Sequence, residues 1–225
     1  NGSSTANTNN QIGVFHGGGN IIGIDSGIVM STGNIASIPN NGFASTSYSG
    51  SGDNDVLTVA QSVGYGSSPS VMRDKAVLEF DFVAPQDDSV AFEYAFGSDE
   101  WTTWPCSVYN DAFGFFISGP GISSGNTYSN NAVNVSIVPG TTSLPVSIAS
   151  IHDGTASFTP CSNGPANVQF FNMGATSNPF AFAKNNNNNN EGAFTDVFMT
   201  KAVHVNACDT YHVKLAICDG TDWGY

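Results

Sequence analysis

Residues 97–121, GSDEWTTWPCSVYNDAFGFFISGPG, decide how this chain is read. The alternating run Val90-Ala91-Phe92-Glu93-Tyr94-Ala95-Phe96 enters them as a half-buried strand, and Ala112-Phe113-Gly114-Phe115-Phe116-Ile117 leaves them as a fully buried one. Between the two stand Asp99, Glu100 and Asp111, with Ser98 and Asn110 as neutral oxygen donors. Carboxylates gathered at strand ends repel one another unless a cation or buried donors offset them. The whole chain has 5 Lys+Arg against 18 Asp+Glu, so side-chain cations are scarce. A hard cation is the natural partner, and calcium, which takes about six to eight oxygens, suits the donor set better than magnesium. A second acidic turn, Asp219-Gly220-Thr221-Asp222, follows a late strand. The expected ligands are Asp99, Glu100, Asn110, Asp111 and Asp219.

Working outward, Lys75–Val83 alternates cleanly: Ala76, Leu78, Phe80 and Phe82 face one way, and Lys75, Val77, Glu79 and Asp81 the other. Pro85–Ser89 then turns the chain into residues 90–96, which reads as a hairpin. Residues 12–35 read as three short strands with Gly-rich turns, Ile21–Ile24 and Gly27–Met30 being buried. The Gly17-Gly18-Gly19 run lacks the helix and the Lys-Ser/Thr pair of a phosphate loop, so it is a turn. Further strands are expected at 132–138, 144–151, 167–172, 193–205 and 210–218. Residues 1–11 form a polar N-terminal arm, 36–70 and 152–195 are long loops, and Asn185–Asn190 is a polar tract with no core to offer. Gly52-Asp53-Asn54-Asp55 could supply oxygens to a cation, though a solvated loop is the plainer reading.

The formal charge of -13 and the scattered basic residues exclude a nucleic-acid partner, which needs a basic patch. No run approaches the ~20 apolar residues of a membrane span, so no membrane insertion is expected. The start, NGSSTANTNN, has neither the charged nor the apolar region of a signal peptide and reads as a mature one. The polar residues are mainly Ser, Thr, Asn and Gly, which suit strands and turns and are poor for helices. The fold expected is an all-β, antiparallel β-sandwich, jelly-roll-like, of about 10–14 strands with no helix longer than two turns. It forms a single domain over residues 12–225.

The chain resembles the choice-of-anchor L domain family, modules of secreted and surface-anchored bacterial proteins. The blocks that carry the resemblance run in the family's order. They are Ile12–Phe15 with Gly23–Asn34, Ala76–Phe82, Ser98–Trp101, Asn110–Pro120 and Thr210–Ile217. The resemblance implies an all-β sandwich and an extracellular place more than any activity. Family members usually continue after the acidic turn with a further hydrophobic strand, which the sequence does not include. A sheet one strand short is open to completion by a strand from a neighbouring subunit.

Four cysteines in such a composition point to an oxidising setting and two disulfides. If residues 210–218 are one strand, Cys208 and Cys218 lie roughly 30 Å apart and cannot pair. That leaves Cys106–Cys218 with Cys161–Cys208, the preferred scheme, or Cys106–Cys208 with Cys161–Cys218. No Cys-x-x-Cys spacing supports zinc. His16, His152, His204 and His212 are unclustered in sequence, and no Gly-x-Ser-x-Gly elbow appears. A glycoside hydrolase using Glu100 with Asp99 or Asp111 is the least favoured reading. The expectation is therefore a protein that is not an enzyme. It is either a structural subunit that polymerises with itself into a filament or matrix, or an adhesive module whose loop aromatics Trp101, Trp104 and Tyr109 stack on a glycan or another surface.

Overall fold

A computed structural model describes residues 2–5, 10–38, 46–64, 66–101, 103–154, 161–173 and 193–222. The Asn185–Asn190 tract lies outside them. The described chain is mostly β, with one short helix and several small antiparallel sheets that close no barrel. In chain order the strands are β1 Gly2–Thr5, β2 Ile12–His16, β3 Ser26–Met30, β4 Met72–Val83, β5 Asp88–Val90, β6 Glu93–Tyr94 and β7 Gly97–Ser98. Then come β8 Ala112–Ser118, β9 Val133–Asn134, β10 Phe171–Met173, β11 Ala193–Thr195, β12 Phe198–Met199, β13 Val203–Val205 and β14 Thr210–Gly220.

The principal sheet has the order β1-β4-β14-β8-β9, antiparallel throughout. Its two faces follow the alternation read from the sequence. Val213, Leu215 and Phe80 pack on one side with Phe115 and Ile117, while Val77, Ala216 and Phe116 pack on the other. Residues 2–5 are thus a strand on the β4 edge, not a detached arm.

The expected hairpin between 75–83 and 90–96 does not form. Both sides of β4 are taken, by β14 and β1, so Pro85–Asp87 carries the chain into a different ladder. There residues 88–98 run antiparallel to 193–205 in three pieces, β5 with β13, β6 with β12 and β7 with β11. Each break sets two residues against three, as in a β-bulge. A buried threonine repairs each. Thr195 donates its N–H to Phe96 O (2.8 Å) and accepts the Phe96 N–H at its hydroxyl (3.1 Å). Thr200 does the same with Phe92, at 2.8 and 3.0 Å. Unrepaired, each buried N–H would cost about 1–3 kcal/mol.

The loop expected at 36–70 contains a helix, α1 Asn54–Ser62. Asp53 caps it, its carboxylate accepting from the N–H groups of Asp55 (2.9 Å) and Val56 (3.2 Å). Val56, Val59, Ala60 and Val63 recur at helical spacing and are all buried, the first three against β8 and β14. Burying each of the two valines that α1 seats on the sheet is worth about 1.5–3 kcal/mol. No described helix is long and apolar enough to cross a membrane. In the first hairpin only β2 and β3 pair. Residues 19–22 form a turn, and the cross-strand pair Val14 and Ile28 is exposed, at 74% and 57%, where burial was expected at Ile28.

Candidate functional site

The acidic loop leaves β7 at Ser98 and returns as β8 at Ala112, and the end of β14 lies against it. Gly220 meets the backbone of Asn110 so closely that an added Cβ would sit 2.8 Å from its N and O atoms. The Gly220 N–H donates to Asp111 Oδ1 (3.0 Å), and Thr221 Oγ1 donates to Val108 O (2.7 Å). Ser98 Oγ donates to Asp111 Oδ2 (2.7 Å) and accepts the Glu100 N–H (3.1 Å). The structure therefore brings Asp99, Glu100, Asp111 and Asp219 together, all 6% exposed or less, with Asp222 beside them. Asp222 belonged to the acidic turn of the sequence but not to the expected ligand set.

Electrostatics makes this cluster unusual. Burial, followed by the charges of Asp111, Asp222 and Asp219, raises the Glu100 carboxyl well above its usual range. Burial likewise raises Asp111, although hydrogen bonds from Ser98 and Gly220 work against it. Asp219 is raised by burial and by Asp111, with Thr32 opposing. Asp222 is pushed up to about 6 by burial. No ion pair within the described residues reaches Glu100, Asp111, Asp219 or Asp222. Both carboxylate oxygens of Glu100 and Oδ1 of Asp222 are buried without a hydrogen-bond donor, and the side-chain hydrogen-bonding neighbour of Glu100 is another carboxyl, that of Asp111. Buried polar atoms are rarely left so. A cavity of about 60 Å³, lined by Thr32, Ser98, Asp99, Asp111, Asp219 and Cys218 among others, adjoins the cluster. Oxygens of this kind could hold a hard cation, but among the described residues no three of these carboxylates bring oxygens within 4.8 Å of one another, as Cys106, His152 and Cys161 do with their ligand atoms.

Other expected site residues are placed differently. Asn110 is 1% exposed, with its amide donating to Ala60 O (3.0 Å) and its oxygen accepting from Ala149 N (3.1 Å), so it braces the loop against the helix. Trp101 is fully buried: its indole N–H donates to Ile151 O and its ring packs on Phe96 and Phe171. It is a core residue and not a surface platform. Trp104 and Tyr109 are half-buried and meet edge to face at 4.9 Å. Asp53 and Asp55 hold Lys214, at 2.8 and 2.7 Å, in place of a cation from solution.

The disulfide scheme is corrected. Cys106 bonds Cys161, and Cys208 and Cys218 are free, the first exposed and the second buried. The premise that all four cysteines pair misled the elimination; the exclusion of Cys208–Cys218 by strand length stands. His152, fully buried, lies with Nε2 3.6 Å from Cys106 Sγ. On the face of β14 that also carries Lys214, His212 meets Asp81 (2.7 Å) and Glu79 (3.6 Å).

No curated protein and no solved structure matches the chain. The choice-of-anchor L domain matches residues 1–225. The chain belongs to the choice-of-anchor L domain family.

Proposed function

We propose that this chain is a non-catalytic structural subunit of an extracellular or cell-surface assembly, in which calcium locks the 98–111 loop to the end of β14. The observation that carries the reading is Glu100, 2% exposed, with two oxygens that meet no donor and with only another carboxyl, Asp111, as side-chain hydrogen-bonding neighbour in a cluster of like charges. Calcium's tolerance of mixed carboxylate, carbonyl and water ligands suits Glu100, Asp111 and Asp222, with Asp99 and Asp219 on the cavity side. The family and the Cys106–Cys161 disulfide suggest a surface or secreted protein. A non-catalytic role is supported by access: the carboxylates a glycoside hydrolase would use are buried beside about 60 Å³, whereas ligand pockets run to roughly 300–1,000 Å³.

We read the principal sheet and the 88–98/193–205 ladder, which share the Phe92–Phe115 contact at 4.7 Å, as the two layers of a sandwich. Self-assembly is supported by β1, a short polar strand seated on the β4 edge through its backbone, which is the edge a second copy's strand would use. The adhesive alternative keeps only Trp104 and Tyr109 as surface aromatics. Sedimentation velocity with negative-stain imaging, in millimolar calcium and after EDTA, tests the reading. Ordered polymers in calcium that shorten or dissolve in EDTA are expected. A strict monomer under both conditions at high concentration would overturn the subunit role.

A further inference from the structure

Lys214 is one of five basic residues in the chain, and it lies in the middle of β14 with its side chain 12% exposed. Its Nζ is 2.7 Å from Asp55 Oδ2, 2.8 Å from Asp53 Oδ2 and 2.9 Å from Asp53 Oδ1. The ring of Phe116 covers it at 5.3 Å, and Val56, Val59 and Val77 belong to the same apolar cluster as Phe116. Asp55 Oδ1, the oxygen away from the lysine, accepts from both the N–H (2.8 Å) and the hydroxyl (3.1 Å) of Ser129. Asp53 is immobilised as the cap of α1. A simple ion pair needs one carboxylate. Here an amine faces a carboxyl whose far oxygen is held by two donors, with a second carboxylate on the same nitrogen. These are the parts of an acyl transfer: nucleophile, polarised electrophile and proton carrier.

We propose that Lys214 and Asp55 condense to an intramolecular isopeptide bond. The Lys214 ammonium passes a proton to Oδ2 of Asp55, 2.7 Å away, and the neutral Nζ attacks Cγ of the resulting carboxylic acid, forming the C–N bond. The negative charge that develops on Oδ1 is held by the Ser129 N–H and O–H. Asp53 takes a second proton from Nζ and delivers it to Oδ2, the Cγ–Oδ2 bond breaks, and one water leaves. Ammonium plus carboxylate gives amide plus water, with no oxidant, reductant or cofactor. Contact with Asp53 and Asp55 outweighs burial and raises the Lys214 pKa, so the neutral pair is a minor state and the cross-link is a slow maturation after folding. Effective molarities of about 10⁵–10⁸ M for well-oriented groups speed the attack of Nζ on Cγ. The product ties the start of α1 covalently to the central strand of the principal sheet.

Intact mass spectrometry of reduced, denatured protein, freshly purified and after prolonged incubation of the folded protein, tests this, with peptide mapping alongside. The expected result is a mass lower than the sequence by one water, and a fragment containing residues 53–55 joined to one containing residue 214. Lys214→Arg and Asp55→Ala should restore the full mass, and Asp53→Asn should slow the loss. The wild-type map does not depend on how well the variants fold. Full mass after incubation overturns the proposal. So does loss of water without the joined fragments, or loss that persists in Lys214→Arg, because Asp153-Gly154 or Asp219-Gly220 can lose water as a succinimide.

Discussion

Glu100→Gln separates calcium from mere burial, because the two predict opposite signs. The side chain is 2% exposed and no donor reaches either of its oxygens, so the near-isosteric amide fits the same space with one charge fewer and can donate to Asp111. In wild-type protein, calcium at a hundredfold excess over its dissociation constant adds about 2.7 kcal/mol. A domain of this length gains about 2–4 °C per kcal/mol, so the melting temperature should rise by about 5–11 °C between EDTA and saturating calcium. In EDTA the variant should melt above wild type, since relief of one like charge beside Asp111 is worth of the order of 1 kcal/mol. In calcium it should melt below wild type and show little response to the ion. Differential scanning calorimetry of disulfide-intact protein reads all four states. Identical wild-type melting in EDTA and calcium, with the variant higher in both, would refute the reasoning: a shared proton would then be offsetting the cluster.

Trp101→Ala should cost about 3–5 kcal/mol by urea unfolding, as a large buried aromatic does, whereas Trp104→Ala should cost clearly less. Replacing Cys106 and Cys161 together by Ala reopens a span of 55 residues and should lower stability by about 4 kcal/mol by chain entropy, while Cys208→Ser should be near neutral by the same measurement. The Asp55 carboxyl is raised by burial but lowered more by Lys214 and Ser129, for a net shift downward. While the pair remains ionic, its folded pKa lies below the unfolded one. The stability it contributes is present above about pH 4 and is lost as pH falls through the folded value. Asp55→Asn should flatten that acid limb in denaturation midpoints measured from pH 6 to pH 2.

The principal sheet was legible because Lys75–Val83 and Thr210–Cys218 alternate strictly, and strict alternation fixes faces. Partners were not legible, because nothing local to Val90–Phe96 says that both sides of β4 are already taken. The helix at Asn54–Ser62 escaped notice for a chemical reason. Its Asp53-Asn54-Asp55 start resembles a loop, and three of the four residues in its buried stripe, Val56, Val59 and Val63, are weak helix formers that packing of the helix on β8 and β14 redeems. The acidic junction was visible as carboxylates at strand ends. The roles within it were not, since Asn110 and Trp101 are consumed by contacts with residues 149 and 151, far along the chain. Cysteine pairing failed for a similar reason: a count of four does not say that one thiol lies under the helix and another on an exposed turn.

The position of β14 also governs when the molecule can exist at all. It is the strand between β4 and β8, yet it is the last of the five to be synthesised, and Thr210 meets Val83 and Cys218 meets Ala112 across about a hundred or more residues. The 88–98/193–205 ladder closes over a similar span. Contact order this high makes folding slow and concerted, because loop-closure entropy is spent before any long-range pairing offsets it. A nascent chain released up to residue 209 has two hydrophobic strands with nothing between them, so the principal sheet cannot close until residues 210–220 are made. The sheet snaps shut only once its middle strand arrives, so its closure follows rather than accompanies synthesis of the other four strands.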